Sequence, residues 1–589
     1  MIKGDPIIKV LYVDLSRRRF WVKERPDLFS KYFGGTGVAI QLLHEECPPN
    51  IHPFDSTNPI IFAVGQLNGL FPLASKTVAM FKSPLTGNLG ESHCGGRSSI
   101  AIRMAGYGAI VIKGKSETPV YLAIHGDEVY FRDASAIWGI ADSYTVGRII
   151  RELEPGAGVR TIMRIGLAGE KLVSYACVVT ETYRHFGRLG LGAVFGSKKL
   201  KALVISGRRS IKPEKPKLYR EIYKEIFEKA TKLPLMRKYH ELGTAMNVNP
   251  LNELGGLPTR NLKNTKFEAA ENISGESFAE KFLGRRVACA HCPVSCIHIA
   301  ALREPYETEP YFYKTKMISY DYELIYALGS MLGVDSIEKL LRIIDEVETL
   351  GLDAMSTGVV LAWITEMQEK GLIGEKETEG LKFRWGDYTT YLKAIRFIVT
   401  QPNEFYKDLA KGVEYAALKH GGLEFALAFG GNEMPGYHTG PAAHVGYLTG
   451  SRHSHLDSAG YSVDEKAAVS KKKLSAEEVG KMLFEEERWR QILSSLVVCF
   501  FARGVYTPEV VIKALTVVGY ELNVKDLERV GERILKSKYE FKVREGFDLK
   551  KLRIPKRILE TPTPHGFISE EFIKEAVKAY KNRIEKIEA

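Results

Sequence analysis

Residues 289–296 read CAHCPVSC, and a further cysteine, Cys499, follows much later in the stretch SSLVVCFF. Cys289, Cys292 and Cys296 have the spacing C-x2-C-x3-C, so one loop can direct three thiolates at one centre. With Cys499 added by the fold, the set has the four cysteines that hold a 4Fe–4S cluster. Such a cluster would require two distant parts of the chain to meet.

A structural zinc site is the alternative that this spacing leaves open. His291 or His298 could complete it together with the three close cysteines. The remaining cysteines, Cys47, Cys94 and Cys177, stand alone in the sequence. Isolated cysteines are usually small buried apolar residues, and we expect that role for these three.

The composition predicts a large cytoplasmic protein of several domains. The chain has 589 residues, 45% of them hydrophobic, which predicts about three domains rather than one core. Seven cysteines are too few for a disulfide framework and suit a reducing cytoplasm. The start, MIKGDPIIKVLYVDLSRRRF, lacks the apolar core of a signal peptide. Because no run of about eighteen apolar residues occurs, the sequence predicts no membrane span.

The net charge is +12. Both nucleic acid and an acidic electron-carrier protein would suit a basic surface. No nucleic-acid-binding motif accompanies the charge, and the basic residues are scattered along the chain. We therefore predict no nucleic-acid partner.

Residues 1–210 are predicted to form a β-rich domain. Short β-branched or aromatic runs such as PIIFAVGQL, YGAIVIKG and KALVISG alternate with Gly, Pro or Asp turns. Glycine is dense at 34–37, 83–96 and 187–203, where backbone N–H groups could approach a ligand, often its phosphates. None of these stretches has the spacing of a Walker loop or a dinucleotide fingerprint. Each one by itself is therefore interpreted as turns between strands.

Residues 211–400 and 401–589 are predicted to form two largely helical domains, which makes an α+β protein. In SIEKLLRIIDEVETLG apolar residues recur at helical spacing, Asp335 or Ser336 would cap the start, and Gly351 would end the helix. The clustered cysteines lie in the helical part and the glycine-rich loops in the β part. A site that uses both would lie at their junction, where cofactor pockets tend to form.

Several motifs in a fixed order resemble those of the tungsten-containing aldehyde:ferredoxin oxidoreductases along nearly the whole chain. They are SPLTGNLGESHCGG followed by AGYGAIVIKGKSETPVY, then GRLGLGAVFGSKKLKA, CAHCPVSC, YELIYALG, LGLDAMSTG, RWGD at 384–387, and Cys499. Together with these motifs, the cysteine spacing favours a 4Fe–4S cluster over zinc.

The resemblance implies a tungsten ion held by the dithiolenes of two molybdopterin cofactors (tungstopterin), beside one 4Fe–4S cluster. It also implies that the β-rich domain forms a base for the bis-pterin and that the two helical domains cover it. The implied reaction oxidises an aldehyde with water to a carboxylic acid and passes the electrons to ferredoxin. Aldehyde oxidation releases two electrons, whereas the cluster and ferredoxin accept one each, so a metal that changes by single electrons bridges the mismatch.

The resemblance assigns the four cysteines to the cluster and five further residues to the pterins. Leu352 and Asp353 of LGLD match a pterin-binding motif, with Glu348 where the family usually has Asp. Near the fourth cysteine the family has Asp-x-x-Gly-Leu-Cys. Here Ser494 stands for the Asp, a valine for the Gly, and Val498 precedes the cysteine. A serine can hydrogen-bond a pterin ring nitrogen but brings no charge.

A third group of residues is implied to bind the pterin phosphates: Lys76, Gly95, Gly96, Arg184, Gly187 and Arg188. Guanidinium groups suit phosphate because they offer fixed, charge-assisted donors. His93 and His185 replace an Asn and an Ala whose backbone oxygens bind a Mg²⁺ ion that links the phosphates in the family. Because backbone ligation tolerates a changed side chain, Mg²⁺ is expected here as well.

Glu323 and His455 match the glutamate and histidine that lie near the metal in the family. Glu323 is expected to activate water or relay its proton, and His455 to hydrogen-bond the substrate carbonyl or a metal oxo group. Without the resemblance, each would be interpreted as an ordinary structural residue. Tyr322, His438 and His444 are further candidates for the substrate pocket.

Arg342 and Asp345 occupy the positions at which a Glu-x-x-His pair binds a bridging metal in the family's homodimer. Since a cationic Arg cannot take part in such a site, we predict no metal-bridged homodimer. The expected electron acceptor is ferredoxin or a small iron–sulfur subunit. Two other functions stay open: reduction of another low-potential substrate, such as an aryl-CoA, and a purely electron-transferring subunit.

Overall fold

The structure, a computed structural model, describes residues 4–140, 142–154, 156–181, 183–309 and 311–588. Its N-terminal part is built on two six-stranded sheets. The strands of the first sheet are β1 Lys9–Asp14, β2 Arg19–Glu24, β3 Ile60–Ala63, β4 Thr77–Lys82, β5 Leu89–Cys94 and β6 Ala109–Lys113. The strands of the second sheet are β7 Val120–His125, β8 Glu128–Asp133, β9 Val159–Arg164, β10 Val178–Thr180, β11 His185–Phe186 and β12 Leu200–Gly207.

The two sheets pack face to face. The first has the order β2-β1-β6-β3-β4-β5 and the second β11-β10-β9-β12-β7-β8. Leu11 and Phe62 of the first sheet share a buried core with Leu122 and Leu203 of the second. β5 and β11 are both edge strands, and they contact each other. The segments next to these two strands are thereby brought together at one edge of the sandwich.

Helices make up most of the remaining chain. They are α1 Pro26–Tyr32, α2 Gly35–Glu46, α3 Ser98–Ala105, α4 Ser143–Leu153, α5 Leu167–Glu170, α6 Leu191–Ser197, α7 Pro216–Lys232, α8 Pro234–Leu242, α9 Val248–Leu254, α10 Gly275–Lys281, α11 Tyr322–Leu328, α12 Ile337–Leu350, α13 Ala354–Glu369, α14 Tyr388–Thr400, α15 Glu404–Leu409, α16 Val413–His420, α17 Pro441–Thr449, α18 His455–Ser458, α19 Gly460–Ser470, α20 Ala476–Ser495, α21 Pro508–Val517, α22 Val524–Arg544, α23 Lys556–Glu560 and α24 Glu570–Glu585.

The helical part has its own large core and also covers one face of the first sheet. Along β1, Val10 and Tyr12 face a core shared with residues of α2, α20, α21 and α22, whereas Leu11 and Val13 face the second sheet. This alternation follows from the two-residue period of a strand. The expected α+β architecture, a β-rich N-terminal part followed by a largely helical part, is confirmed. The domain boundaries at 210 and 400 stay predictions.

The cysteine motif lies in a β structure that the sequence interpretation missed. β13 Leu283–Val287, β14 Ile297–Pro305 and β15 Tyr313–Tyr320 form an antiparallel sheet within the helical part. Charged residues interrupt the apolar runs of these strands and hide their β pattern: Arg285, Arg286, Arg303, Lys314 and Lys316. CAHCPVSC is the loop that joins β13 to β14. A second, two-stranded ribbon consists of β16 Ala428–Phe429 and β17 Asn432–Glu433.

Two local expectations have different outcomes. The helix expected in SIEKLLRIIDEVETLG is α12, capped by the Ser336 side chain and ended by Gly351 at φ 77°. The stretch 83–96, interpreted as turns, instead contains β5, which pairs with β4 along its whole length. Its glycine and polar residues carry no alternation, so the interpretation as turns was wrong for 89–94. In the described part of the chain, no helix is both long and apolar enough to cross a membrane.

Candidate active site

A deep cleft lies where β5 and β11 meet the helical part. Its volume is about 1720 Å³ including the open mouth. From the N-terminal part the lining includes Lys76, His93, Gly95, Cys177, Arg184, His185, Gly187 and Arg188. From the helical part it includes Cys296, Tyr322, Glu323, Glu348, Leu352, Asp353, Tyr437, His455, Tyr461, Arg490, Val498, Cys499 and Arg503. Most residues predicted to touch the cofactors therefore share one cleft.

Backbone hydrogen bonds bring the fourth cysteine to the first three. The N–H of Cys499 donates to the carbonyl of Leu73 over 3.0 Å, and the N–H of Leu73 donates to the carbonyl of His291 over 3.2 Å. The N–H of Ala290 donates to the carbonyl of Gly96 over 2.8 Å. The loop after β3, the end of β5, the cysteine loop and the segment after α20 are thereby held together.

The thiols of this group interact electrostatically with one another and with two cations. The pKa of Cys296 is raised to about 12, mainly by burial and also by the Cys289 and Cys499 thiols, while Arg184 and Lys76 act in the opposite direction. The neighbouring thiols of Cys499, Cys289 and Cys296 hold the pKa of Lys76 above its ordinary value, although desolvation acts to lower it. Because a cluster is bound by thiolates, the neighbouring cations would compensate the charge that binding introduces.

Gly95 allows the cysteine loop to come this close to β5. A Cβ atom at Gly95 would lie 2.7 Å from the Cys289 Sγ and 3.2 Å from the Lys76 Nζ. Every residue other than glycine would push against the sulfur. The glycine that the sequence resemblance assigned to phosphate binding thus also has a steric role beside the cysteines.

The side chains of the cleft are of the types that a pterin-bound metal and its phosphates require. Within the ranges that the structure describes, no group of three or more His, Cys, Asp or Glu side chains is arranged to hold a single metal ion. A metal held through the dithiolene sulfurs of its pterins requires no protein ligand. The buried Arg184 Nε has no hydrogen-bond partner among the described residues, so a fixed donor there is left for an anionic group such as phosphate.

Arg188 and Asp353, both predicted to contact the pterins, also contact each other. The Arg188 Nε lies 2.7 Å from an Asp353 carboxylate oxygen. The Arg188 Nη2 donates to the Asn432 Oδ1 and to the carbonyl of Glu433. Asp353 caps α13 by accepting from the N–H of Met355. The pair therefore joins the loop after β11 to the start of α13 across the cleft.

His185 of β11 and His93 of β5 each contact a carboxylate, Glu348 and Glu91 respectively. The His185 Nε2 lies 3.4 Å from a Glu348 oxygen, which also accepts from Tyr144, and the other Glu348 oxygen accepts from Ser319. The His93 Nε2 lies 2.7 Å from Glu91. Burial lowers the pKa of His93 to about 4.

Glu323 and His455 face each other in the cleft. The Glu323 Oε1 lies 3.3 Å from the His455 Nε2, and the Glu323 Oε2 accepts from the N–H of Gly436 over 3.2 Å. Burial raises the pKa of Glu323 to about 8. Burial, reinforced by the charges of Arg188 and Arg490, lowers the pKa of His455 to about 3. Near neutral pH the site thus pairs a carboxylic acid with a neutral imidazole, which can exchange a proton with a ligand.

Glu323 and His455 each lie in the first turn of a capped helix, which fixes their positions. Asp321 caps α11 by accepting from the N–H of Leu324, and Glu323 follows within the first turn. Ser454 caps α18 in a capping box, and His455 is its first residue. The Tyr437 ring lies 5.2 Å from the His455 ring and holds it against the cleft wall.

The other predicted pocket residues divide into two groups. Tyr322 lines the cleft and donates to the carbonyl of Gly436. His438 and His444 are fully buried and hydrogen-bonded to each other over 2.8 Å. They lie behind the cleft wall, where the His444 ring packs against Tyr447 at 5.5 Å. Ser494 is also buried, and its carbonyl accepts a hydrogen bond within the turn that follows α20.

Sequence reasoning missed several residues of the cleft, chiefly Arg490, Arg503 and Tyr461. Arg490 is 2% exposed, and it donates to Glu486 and to the carbonyl of Leu456. It lies one turn before Ser494, so the position of the pterin-like motif on a helix could have indicated it. Arg503 and Tyr461 have no comparable signal in the sequence.

Comparison with known proteins defines the class as oxidoreductases. Residues 10–207 match the family model "Aldehyde ferredoxin oxidoreductase, N-terminal domain", and residues 221–583 match "Aldehyde ferredoxin oxidoreductase, domains 2 & 3". The chain belongs to the aldehyde ferredoxin oxidoreductase family. The resemblance stated from the sequence motifs is thereby confirmed.

Two relatives illustrate the spread of the family. The chain is 32% identical to the tungsten-containing aldehyde ferredoxin oxidoreductase of Pyrococcus horikoshii, over 95% of this chain and 92% of that protein. It is 31% identical to the aliphatic sulfonate oxidoreductase, WOR-like subunit, of Pyrococcus furiosus, over 70% of this chain and 67% of that protein.

A solved structure with a similar fold is the active site complex BamBC of benzoyl coenzyme A reductase in complex with 1,5 dienoyl-CoA. Its TM-score is 0.81, its identity to this chain is 22%, and the match covers 98% of this chain and 94% of the other. At this identity the likeness concerns the fold alone.

Proposed function

We propose that this protein oxidises an aldehyde with water to a carboxylic acid, using a tungsten bis-molybdopterin and one 4Fe–4S cluster. The aldehyde and one water molecule yield the acid, two protons and two electrons. When bound, the tungsten centre would accept the two electrons and release them singly to the cluster. Ferredoxin or a small iron–sulfur subunit, in the cytoplasm, would receive them.

The contact between Glu323 and His455 is the observation that carries this proposal. When water supplies the oxygen atom, the reaction requires a group that removes a proton from the water and a donor that holds the carbonyl oxygen. Glu323, in its ionised form, would take the proton, and the His455 imidazole would hydrogen-bond the oxygen. Because the two side chains are 3.3 Å apart, the carbonyl of one bound substrate and its attacking water can contact both of them.

The remaining cleft residues would hold the cofactors. Cys289, Cys292, Cys296 and Cys499 would bind the cluster. Lys76, Arg184 and Arg188 would pair with the pterin phosphates, Glu348, Leu352, Asp353 and Val498 would contact the pterin rings, and the backbone at His93 and His185 would bind Mg²⁺. Ser494 would act through its backbone, since its side chain does not line the cleft.

Reduction of an aryl-CoA or another low-potential substrate is the second candidate. It is supported by the fold likeness to a benzoyl coenzyme A reductase complex. The same cleft chemistry would then run in the reductive direction, with Glu323 delivering a proton instead of removing one.

The first experiment is elemental analysis of the natively purified protein, followed by an assay. We expect about one tungsten and four irons per chain and aldehyde-dependent reduction of a viologen dye. Iron without tungsten or molybdenum would leave a purely electron-transferring subunit as the function. Tungsten with no aldehyde activity, but with reduction of an aryl-CoA by a low-potential dye, would favour the second candidate.

A further inference from the structure

Two helices, α7 and α8, pack against the cysteine loop. The Tyr223 ring of α7 lies 6.0 Å from the His291 ring within the cysteine loop. On α8, the His240 Nδ1 lies 2.8 Å from the carbonyl of Val294 in the same loop. These two contacts place α7 and α8 directly beside the loop that carries the three close cysteines.

A row of aromatic rings leads from this loop to the protein surface. Tyr219, Tyr223 and Phe227 follow one another at every fourth position of α7, with centroids 5.9 and 6.3 Å apart. Tyr219 is half-buried, whereas Phe227 is 42% exposed. The row therefore ends in an apolar side chain at the surface.

Two more apolar side chains are exposed where α7 turns into α8. Leu233 is 38% and Leu235 46% exposed. Together with Phe227 they form an apolar patch of the kind that marks contact with a partner. We name residues 215–242 the α7–α8 corner.

The corner is strongly basic. It contains eight Lys and Arg and four Asp and Glu, a net charge of +4, which is one third of the net charge of the whole chain, +12. Lys224, Arg237 and Lys238 are exposed, and none of them forms an ion pair with the residues that the structure describes. An acidic partner would find both an apolar centre and a positive rim here.

We propose that the α7–α8 corner is the docking surface for a small acidic iron–sulfur carrier protein. The inference rests on the proposed function, because it assumes that electrons leave through the cysteine-bound cluster. One electron at a time would pass from the cluster to the oxidised cluster of the docked carrier. Electron transfer needs close approach, and the corner is the surface that lies next to the cysteine loop through α7 and α8.

The test compares matched variants of the holoenzyme. Lys224→Glu reverses one charge in the corner. The control, Lys393→Glu, reverses an exposed charge on α14 that forms no ion pair within the described part of the chain. Phe227→Ser removes the apolar end of the row, and Phe567→Ser removes a 71% exposed phenylalanine elsewhere. The Kd for a purified acidic bacterial ferredoxin is measured at low and high salt, together with viologen reduction.

The two corner variants are expected to weaken ferredoxin binding about tenfold at low salt, with viologen reduction and both controls unchanged. Ferredoxin binding at wild-type affinity in both corner variants would overturn the inference. So would loss of binding to anionic phospholipid vesicles with ferredoxin binding intact, which would assign the corner to a lipid surface. If the wild type lacks aldehyde-dependent viologen reduction, the proposed function fails while the binding comparison still decides the docking surface.

Discussion

At the scale of the residue, the buried carboxyl of Glu323 is the feature with the clearest chemical consequence. A group that must be ionised to take a proton, and whose pKa is raised to about 8 by burial, gains activity as the pH rises through that value. We therefore expect kcat/KM for an aldehyde to increase with pH up to about pH 9.

Glu323→Gln should lower kcat by about 10²–10⁴-fold and remove this pH dependence. Steady-state kinetics from pH 6 to 10 measures both effects, and tungsten and iron contents should be unchanged. Glu338→Gln, in the first turn of α12 and outside the cleft lining, is the control. Near-normal turnover in Glu323→Gln would contradict the role of proton acceptor.

Gly95 offers a second test, because a Cβ atom at this position would lie 2.7 Å from the Cys289 sulfur. Gly95→Ala should displace the cysteine loop and lower the iron content and the visible absorbance of the cluster. Gly504→Ala, which would meet nothing within 4 Å, should keep both. Full iron occupancy in Gly95→Ala would show that the loop can move without loss of ligands.

At the scale of the element, a buried ion pair joins α22 to β5. The Lys538 Nζ lies 2.6 Å from the Glu91 Oε2, and both side chains are 1% exposed. Burial alone would raise the pKa of Glu91, but the Lys538 ammonium and His93 outweigh it and hold the pKa well below its usual range. The pair fixes the strand that carries His93 into the cleft.

Lys538→Met should destabilise the protein by roughly 3–5 kcal/mol, because it removes the lysine that pairs with the buried Glu91 carboxylate. Lys574→Met, which breaks an exposed pair on α24, should cost about 0–1 kcal/mol. Midpoints of guanidinium-induced unfolding measure the difference. The ionised Glu91 stabilises the fold fully above its ordinary pKa, the value in the unfolded chain. This stabilisation is lost as the pH falls toward the lower pKa of the folded protein. The effect of Lys538→Met on the free energy of unfolding should therefore shrink as the pH falls. An equal effect at pH 3 and pH 7 would contradict this.

The elements themselves differ in how far local pattern could predict them. α12 has a helical apolar face, a serine cap and a terminal glycine, so sequence alone located both of its ends. β13, β14 and β15 have short runs interrupted by charges, and only pairing with neighbours makes them strands. The cysteine loop could therefore be recognised as a ligand motif, but not as the connection of a hairpin.

At the scale of the whole molecule, the surface of α12 bears on the oligomeric state. The Arg342 Nε donates to Glu304 over 2.7 Å, and Asp345 pairs with Lys316. Neither side chain is left to bind a bridging metal. We expect the molar mass in light scattering after size exclusion to be the same with and without EDTA. A homodimer that dissociates on chelation would contradict this.

The four cysteines, the glycine-rich loops and the pair of Glu323 and His455 were named from sequence because their chemistry depends on residue type and order. The family and the β-then-helical architecture followed from the same motifs. The tertiary structure alone decided that Glu323 meets His455, that Arg188 binds Asp353, and that His438 and His444 lie behind the cleft wall. It also revealed Arg490 and the α7–α8 corner. Distances between remote side chains and the burial that shifts a pKa are properties of packing, and no local pattern encodes them.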